Sequence, residues 1–251
     1  MNKADISNFL EESYKKERSI KVTPPPVSSR RQYDDKIVAW IDILGMRNKI
    51  RDHKNHDAEE ILDIMDHFQN YIRNSCENLE GLVKFIQISD GIIIVSEFDC
   101  LKEICGILCQ IQWKILINDN MILRGALTSG KISITDDDPP LIVGPAFVEV
   151  FEMESENAIF PRILISHELY KSLKLDFIIE DSDHFYFLDF LEYVIKTENY
   201  NEKQLLHNLR TSKVLEFLRI EYNRHIETNK KVAQKYGWLI EKLSARHIKV
   251  L

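Results

Sequence analysis

The chain has 251 residues, 44% of them hydrophobic, with 33 Lys and Arg against 40 Asp and Glu and a formal net charge of -7. That is enough apolar chain for a full core, as one domain with an appendage or two small domains. The acidic balance argues against a broad basic footprint for duplex nucleic acid. No apolar run reaches the roughly 18 to 20 residues of a membrane span, and the polar N-terminal stretch lacks a signal peptide's apolar segment, so neither nucleic acid nor membrane is expected as a partner and a cytoplasmic location is.

In chain order, residues 4–18 read as a short amphipathic helix, and TPPPVSSRR after them as a stiff linker that no helix or central strand could contain. IVAWIDILGM, residues 37–46, is an apolar strand pattern interrupted by Asp42. AEEILDIMDHFQNYIRNSCENL carries Ile61, Ile64, Met65, Phe68, Ile72 and Cys76 at helical spacing. LVKFIQISDGIIIVSE reads as two strands joined by a tight turn at Ser89, Asp90 and Gly91. A helix follows over Leu101–Trp113, then a glycine-bent strand in MILRGALTSGKISI and an acidic, solvated turn at Asp136, Asp137 and Asp138. This βαββαβ order predicts an α+β fold, an antiparallel ferredoxin-like palm with helices on one face.

Beyond the palm, GPAFVEVFEMES reads as a helix, PRILIS as a strand, HELYKSL as a short helix and HFYFLDFL as an edge strand. From Glu202 onward nearly everything is helical, with a break expected at Tyr236 and Gly237. The predicted organisation is a leader and linker over 1–34, a palm over 35–200 and a helical extension over 201–251. Cys76, Cys100, Cys105 and Cys109 show no C-x-x-C spacing, so buried free thiols are expected rather than zinc ligands or disulfides.

In such a palm the end of the first strand and the turn of the central hairpin are neighbours, so Asp42 and Asp90 should converge. Taken singly, an Asp at a strand-to-helix junction is most often an N-cap and an Asp-Gly pair most often a turn. Together in this topology they suggest two carboxylates that repel unless a cation lies between them, and such oxygen ligands suit Mg²⁺ or Mn²⁺. The following Leu44, Gly45 and Met46 lead into a helix start that could meet phosphate oxygens. Metal and phosphate cradle together point to a nucleoside triphosphate.

WIDILGM, ISDGIIIVSE, LRGALTSGKI and VGPAFVEVFEMES, in that order over roughly residues 36–170, resemble the motifs of class III nucleotidyl cyclases. The DILG, the Ser-Asp hairpin, the G-P-A before the helix and PRILIS after it look closest to the bacterial pyrimidine cyclases of Pycsar antiphage defence, as does the terminal KYGWLIEKL.

The resemblance implies a class III palm with a helical C-terminal extension. It implies that Asp42 and Asp90 hold two Mn²⁺ or Mg²⁺ ions, with the Ile43 carbonyl as a further ligand. Ile43, Leu44, Gly45 and Met46 match the triphosphate loop, and Arg124 matches the phosphate-facing Arg, with Arg162 a second candidate cation. At the purine-reading positions stand Ile86 and Pro145. By their own placement Gln87, Gln110 and Gln112 could offer amides, but strand alternation turns Gln87 away from the cleft and the helical pair, Gln110 and Gln112, is expected to face solvent. The implied reaction converts UTP or CTP to a 3′,5′-cyclic nucleotide and pyrophosphate, in a homodimer, for a separate effector that senses the product. Val148 and Glu152 occupy the positions that usually supply a transition-state Asn and Arg, which keeps open a degenerate cyclase domain that binds nucleotide or other proteins without chemistry.

Overall fold

The computed structural model describes residues 32–52, 58–135, 140–197, 201–248 and 250. The expected helix over 4–18, the proline linker and the Asp136–Asp138 turn lie outside the described residues. The palm comprises β1 (Asp34–Ile43), α1 (Met46–Asp52), α2 (Glu59–Cys76), β2 (Val83–Ile88), β3 (Gly91–Ser96), α3 (Leu101–Asp119) and β4 (Leu123–Ile134). After it come β5 (Ile142–Val143), α4 (Pro145–Glu152), β6 (Ile163–Ile165), α5 (His167–Ser172), β7 (Ile178–Glu180), β8 (Tyr186–Leu188) and α6 (Phe190–Thr197). The C-terminal helices are α7 (Glu202–Thr211), α8 (Val214–His225) and α9 (Lys230–Ser244).

The sheet runs β2-β3-β1-β4-β6-β8-β7, with β5 beside β4. The first four strands pair antiparallel throughout, as the βαββαβ order predicts, and among the described residues only β4 with β6 is parallel. β1 is central and buried on both sides from Ile37 to Ile41, which is why its sequence is a continuous apolar run rather than an alternating one. Ile37, Ala39, Ile41 and Ile43 point to one face, and Val38, Trp40 and Asp42 to the other. On the first face, Gln87 of β2 bonds Gln69 of α2, and α3 packs between α2 and α6. Enclosed in this way, α3 is apolar nearly all round, and it stops where Asn120 turns left-handed at φ 50°. On the second face α4 covers part of the sheet, with the Phe147 and Phe151 rings 6.3 and 5.9 Å from Trp40, and Trp238 of α9 packs on Phe187 with ring centroids 5.4 Å apart.

A buried cation helps fasten α9 to the rest of the fold. Arg162 is fully buried and ion-paired to Asp181 and Asp183, with its guanidinium 5.2 Å from the Phe160 ring and 5.7 Å from Phe187. Asp181 also accepts hydrogen bonds from Trp238 Nε1 at 2.7 Å and Lys242 Nζ at 2.9 Å, both on α9. Burial would raise the Asp181 carboxyl, but the bonds from Lys242, the Ser182 N–H and Trp238 hold it below its ordinary range.

Three expectations change. HFYFLDFL is not an edge strand: β8 lies between β6 and β7 and ends at Leu188, because Asp189 caps α6 by accepting the Glu192 N–H at 3.1 Å. α9 runs unbroken through Tyr236 and Gly237; a side chain at Gly237 would press on the Tyr222 ring of α8, so this glycine serves helix–helix contact rather than a break. Gln110 and Gln112 do not face solvent: the first bonds the Tyr193 hydroxyl and the second is buried. All four cysteines are free and buried, and no helix among the described residues is long and apolar enough to cross a membrane.

Candidate active site

Register brings two of the sequence-predicted residues, Asp42 and Arg124, into one cross-strand row. Ile88 of β2 stands opposite Gly91 of β3, Gly91 opposite Asp42 of β1, and Asp42 opposite Arg124 of β4. Opposed residues of antiparallel strands share a face, so the Asp42 and Arg124 side chains emerge together on the side that carries α4. Asp90, immediately before Gly91 in the hairpin turn, lies close enough for its charge to act on Asp42. Asp42 is not the N-cap of α1, which begins at Met46; its carboxylate instead accepts from Arg124 Nη2 at 3.2 Å.

The site holds a third carboxylate that sequence reasoning missed. Glu154 is 3% exposed, and its Oε1 lies 2.7 Å from Arg124 Nε, in ion-pair contact but off the line of an aligned hydrogen bond. It follows α4 in a π-turn over Met153–Asn157, so the regular helical period that orients neighbouring side chains does not apply to it. Burial pushes the Asp42 carboxyl up to about 6, the charges of Asp90 and Glu154 add to this, and Arg124 opposes it. Glu154 is raised by burial and by Asp90, against the pull of Arg124, Lys235 and a hydrogen bond from Trp40. Lys235 of α9, also absent from the sequence reading, reaches this charge cluster from the far end of the chain.

This excess of negative charge fits a divalent cation beside Asp42 and Asp90. Among the described residues no group of three or more His, Cys, Asp or Glu could hold a metal by itself. Two carboxylates with substrate oxygens completing the shell is the usual way a small hard cation is bound. Ile43 is 1% exposed, so its side chain belongs to the core and only its backbone carbonyl has the chemistry of a ligand. Met46 is equally buried, and the outward parts of the loop are Leu44 and Gly45. Gly45 has φ 93°, a left-handed turn that favours glycine, and open space where a Cβ would be. α1 has only seven residues, too short for its dipole to do much of the work. Arg162, the second candidate cation, is excluded from the chemistry by its burial in the anchor to α9.

Beside the loop opens a cavity of about 710 Å³, with Leu44, Gly45, Met46 and Lys49 on one wall and Lys235 and Tyr236 on the other. Asp42, Asp90 and Arg124 are outside its lining.

No protein-family model and no curated protein matches the sequence. Solved structures do match. The monomeric guanylyl cyclase domain of the RhoGC fusion protein from the aquatic fungus Blastocladiella emersonii aligns at TM-score 0.50 and 17% identity, over 62% of this chain and 95% of that one. A bacterial light-regulated adenylyl cyclase aligns at TM-score 0.50 and 12% identity, over 76% of this chain and 68% of that one. The palm has the class III nucleotidyl cyclase fold. Within it, Val148 and Phe151 of α4 are 54% and 46% exposed beside the Asp42 row, and Ile86 stands on the same face, opposite Ile93, which in turn faces Trp40.

Proposed function

We propose that the chain is a nucleotidyl cyclase acting on a pyrimidine nucleoside triphosphate, UTP before CTP. The observation that carries this reading is the row in which Asp42 stands beside the Asp90 turn and opposite Arg124, within a cyclase fold. Asp42, Asp90 and the Ile43 carbonyl would hold two Mg²⁺ or Mn²⁺ ions, which when bound favour ionisation of the ribose 3′-hydroxyl and neutralise triphosphate charge. Leu44 and Gly45, with the Ile43 and Met46 backbone, would line the triphosphate. Arg124 would meet the charge that develops at the α-phosphate as the 3′-oxygen bonds to phosphorus, its proton leaves to solvent and pyrophosphate departs. Glu154 keeps Arg124 in place when Asp42 is engaged elsewhere.

Pyrimidine choice is supported by Ile86 and Pro145, which offer neither charge nor side-chain hydrogen bond where a purine edge would be read. Pocket size would then admit a one-ring base and crowd a two-ring one. Val148 and Phe151 form an exposed apolar surface suited to a second copy, and a symmetric homodimer would enclose two equivalent clefts, each lined by groups from both copies. In this reading residues 35–200 are the cyclase palm and 201–251 its helical extension. The resemblance to the Pycsar enzymes supports a role in antiphage signalling, with a separate effector sensing the cyclic product.

Val148 and Glu152 also favour a second reading, a degenerate cyclase domain that binds nucleotide without turning it over. Incubation of the purified protein with each of the four ribonucleoside triphosphates and Mn²⁺, followed by mass spectrometry, separates the two. A 3′,5′-cyclic pyrimidine nucleotide supports the first reading. Cyclic purine product overturns the base assignment, and no product with any triphosphate leaves the degenerate domain.

A further inference from the structure

We propose that the cavity between the Leu44–Met46 loop and the C-terminal helices α8 and α9 receives the polyphosphate tail of the nucleotide, and that Lys235, reaching over from α9 of the same chain, is the cation that holds it. The proposal rests on the cyclase reading and adds to it a binding residue from outside the palm.

The cavity, at about 710 Å³, is in the size range of small-molecule sites. Most of its basic side chains already have partners. Lys49 is ion-paired to Glu60 at 2.7 Å, while Arg224 and His225 share Glu221 at 2.7 and 3.6 Å. Arg51 is exposed. Lys235 is half-buried yet makes no ion pair among the described residues, although the Asp42 and Glu154 charges reach it. A partly desolvated ammonium without a direct counter-ion is stabilised by an anion that enters beside it. Its position joins the two halves of the site, since it lines the cavity and also faces the Asp42–Arg124–Glu154 cluster.

What fixes Lys235 there is the Arg162 anchor. Lys235, Trp238 and Lys242 are spaced i, i+3 and i+7 on α9 and so share one face of the helix. Trp238 and Lys242 are both bonded to Asp181, which Arg162 ties to the palm. The same face one turn earlier is thereby held against the loop, so the ammonium is positioned before the ligand arrives.

The test is calorimetric titration of the full-length protein with inorganic tripolyphosphate in magnesium buffer, comparing wild type, Lys235→Met, Lys235→Arg and the exposed control Lys174→Met. We expect one site per chain, a loss of about tenfold in affinity for Lys235→Met, comparable to one charge-assisted hydrogen bond, recovery in Lys235→Arg, and no change in Lys174→Met. Wild-type affinity in Lys235→Met, or no binding by the wild type, overturns the proposal. If Lys235→Met fails to fold, acylation of the wild-type protein read by peptide mass spectrometry decides the matter. Tripolyphosphate should slow modification of Lys235 and leave Lys174 unaffected, and equal labelling with and without it refutes the site. Lys235-dependent binding by a protein that makes no cyclic product would retain the polyphosphate site and discard the cyclase reading. Cyclic product made at wild-type affinity and rate by Lys235→Met would do the reverse.

Discussion

Asp42 of β1 and Arg124 of β4 face each other across the central strand pair, and the guanidinium reaches the carboxylate at 3.2 Å without fully balancing it. Because the Asp42 carboxyl rises from 3.8 to about 6 on folding, the metal-free folded chain binds more protons than the unfolded one between those values. The group's contribution is therefore complete below the lower value and lost as pH rises through the upper one, a difference of at most about 3 kcal/mol. In EDTA, Asp42→Asn should be more stable than wild type at about pH 7.5, and the gap should close towards about pH 4. Urea melts across that range check this, and a variant less stable than wild type at the higher pH contradicts it.

Asp42→Asn and Asp90→Asn should each abolish formation of cyclic nucleotide while the chain stays folded, since each loses an anionic oxygen donor and relieves repulsion between neighbouring carboxylates. Product assays paired with circular dichroism test both. Full turnover in either variant removes that residue from metal binding.

Arg162→Met should destabilise the fold by about 3 to 5 kcal/mol, because it leaves Asp181 and Asp183 without their buried cation. Lys242 and Trp238 still reach Asp181, so the variant should fold with its melting midpoint lowered by roughly 10 °C. A stable variant that had lost activity alone would return Arg162 to the chemistry.

Gly91 lies against the Trp40 ring so closely that an added Cβ would stand 2.3 Å from Cζ2. Gly91→Ala should cost about 1 to 3 kcal/mol and shift the Trp40 emission, as the ring leaves its place beside Phe147 and Phe151. Fluorescence of a variant retaining Trp40 as its sole tryptophan reports the shift.

The wild-type chain should run as a dimer in light scattering at micromolar concentration, and Val148→Asp should shift it towards monomer with little change in melting temperature, because Val148 is 54% exposed in the single chain. A wild-type monomer that cyclises nucleotide at full rate would rule out the shared cleft.

Sequence alone determined the palm. The unbroken apolar run of β1, the helical spacing over Ile61–Cys76, and the Ser89–Gly91 turn between two strands are local patterns, and local periodicity and turn chemistry carry them. Once the βαββαβ order is read, antiparallel neighbours follow, and with them the approach of Asp42 to the Asp90 turn. Tertiary structure decided what local pattern cannot reach. A Gly after Tyr236 reads as a break until Tyr222 is known to pack against it, and Arg162 reads as a free cation until Asp181, Asp183 and the aromatic rings close over it. Glu154 comes into the site through a π-turn that departs from the 3.6-residue period. Lys235 arrives from α9, more than a hundred residues beyond Arg124, because burial of Trp238 and Lys242 on Asp181 sets where that helix lies. Such long-range contacts are chosen by packing and charge pairing over the whole fold, and no window of sequence contains them.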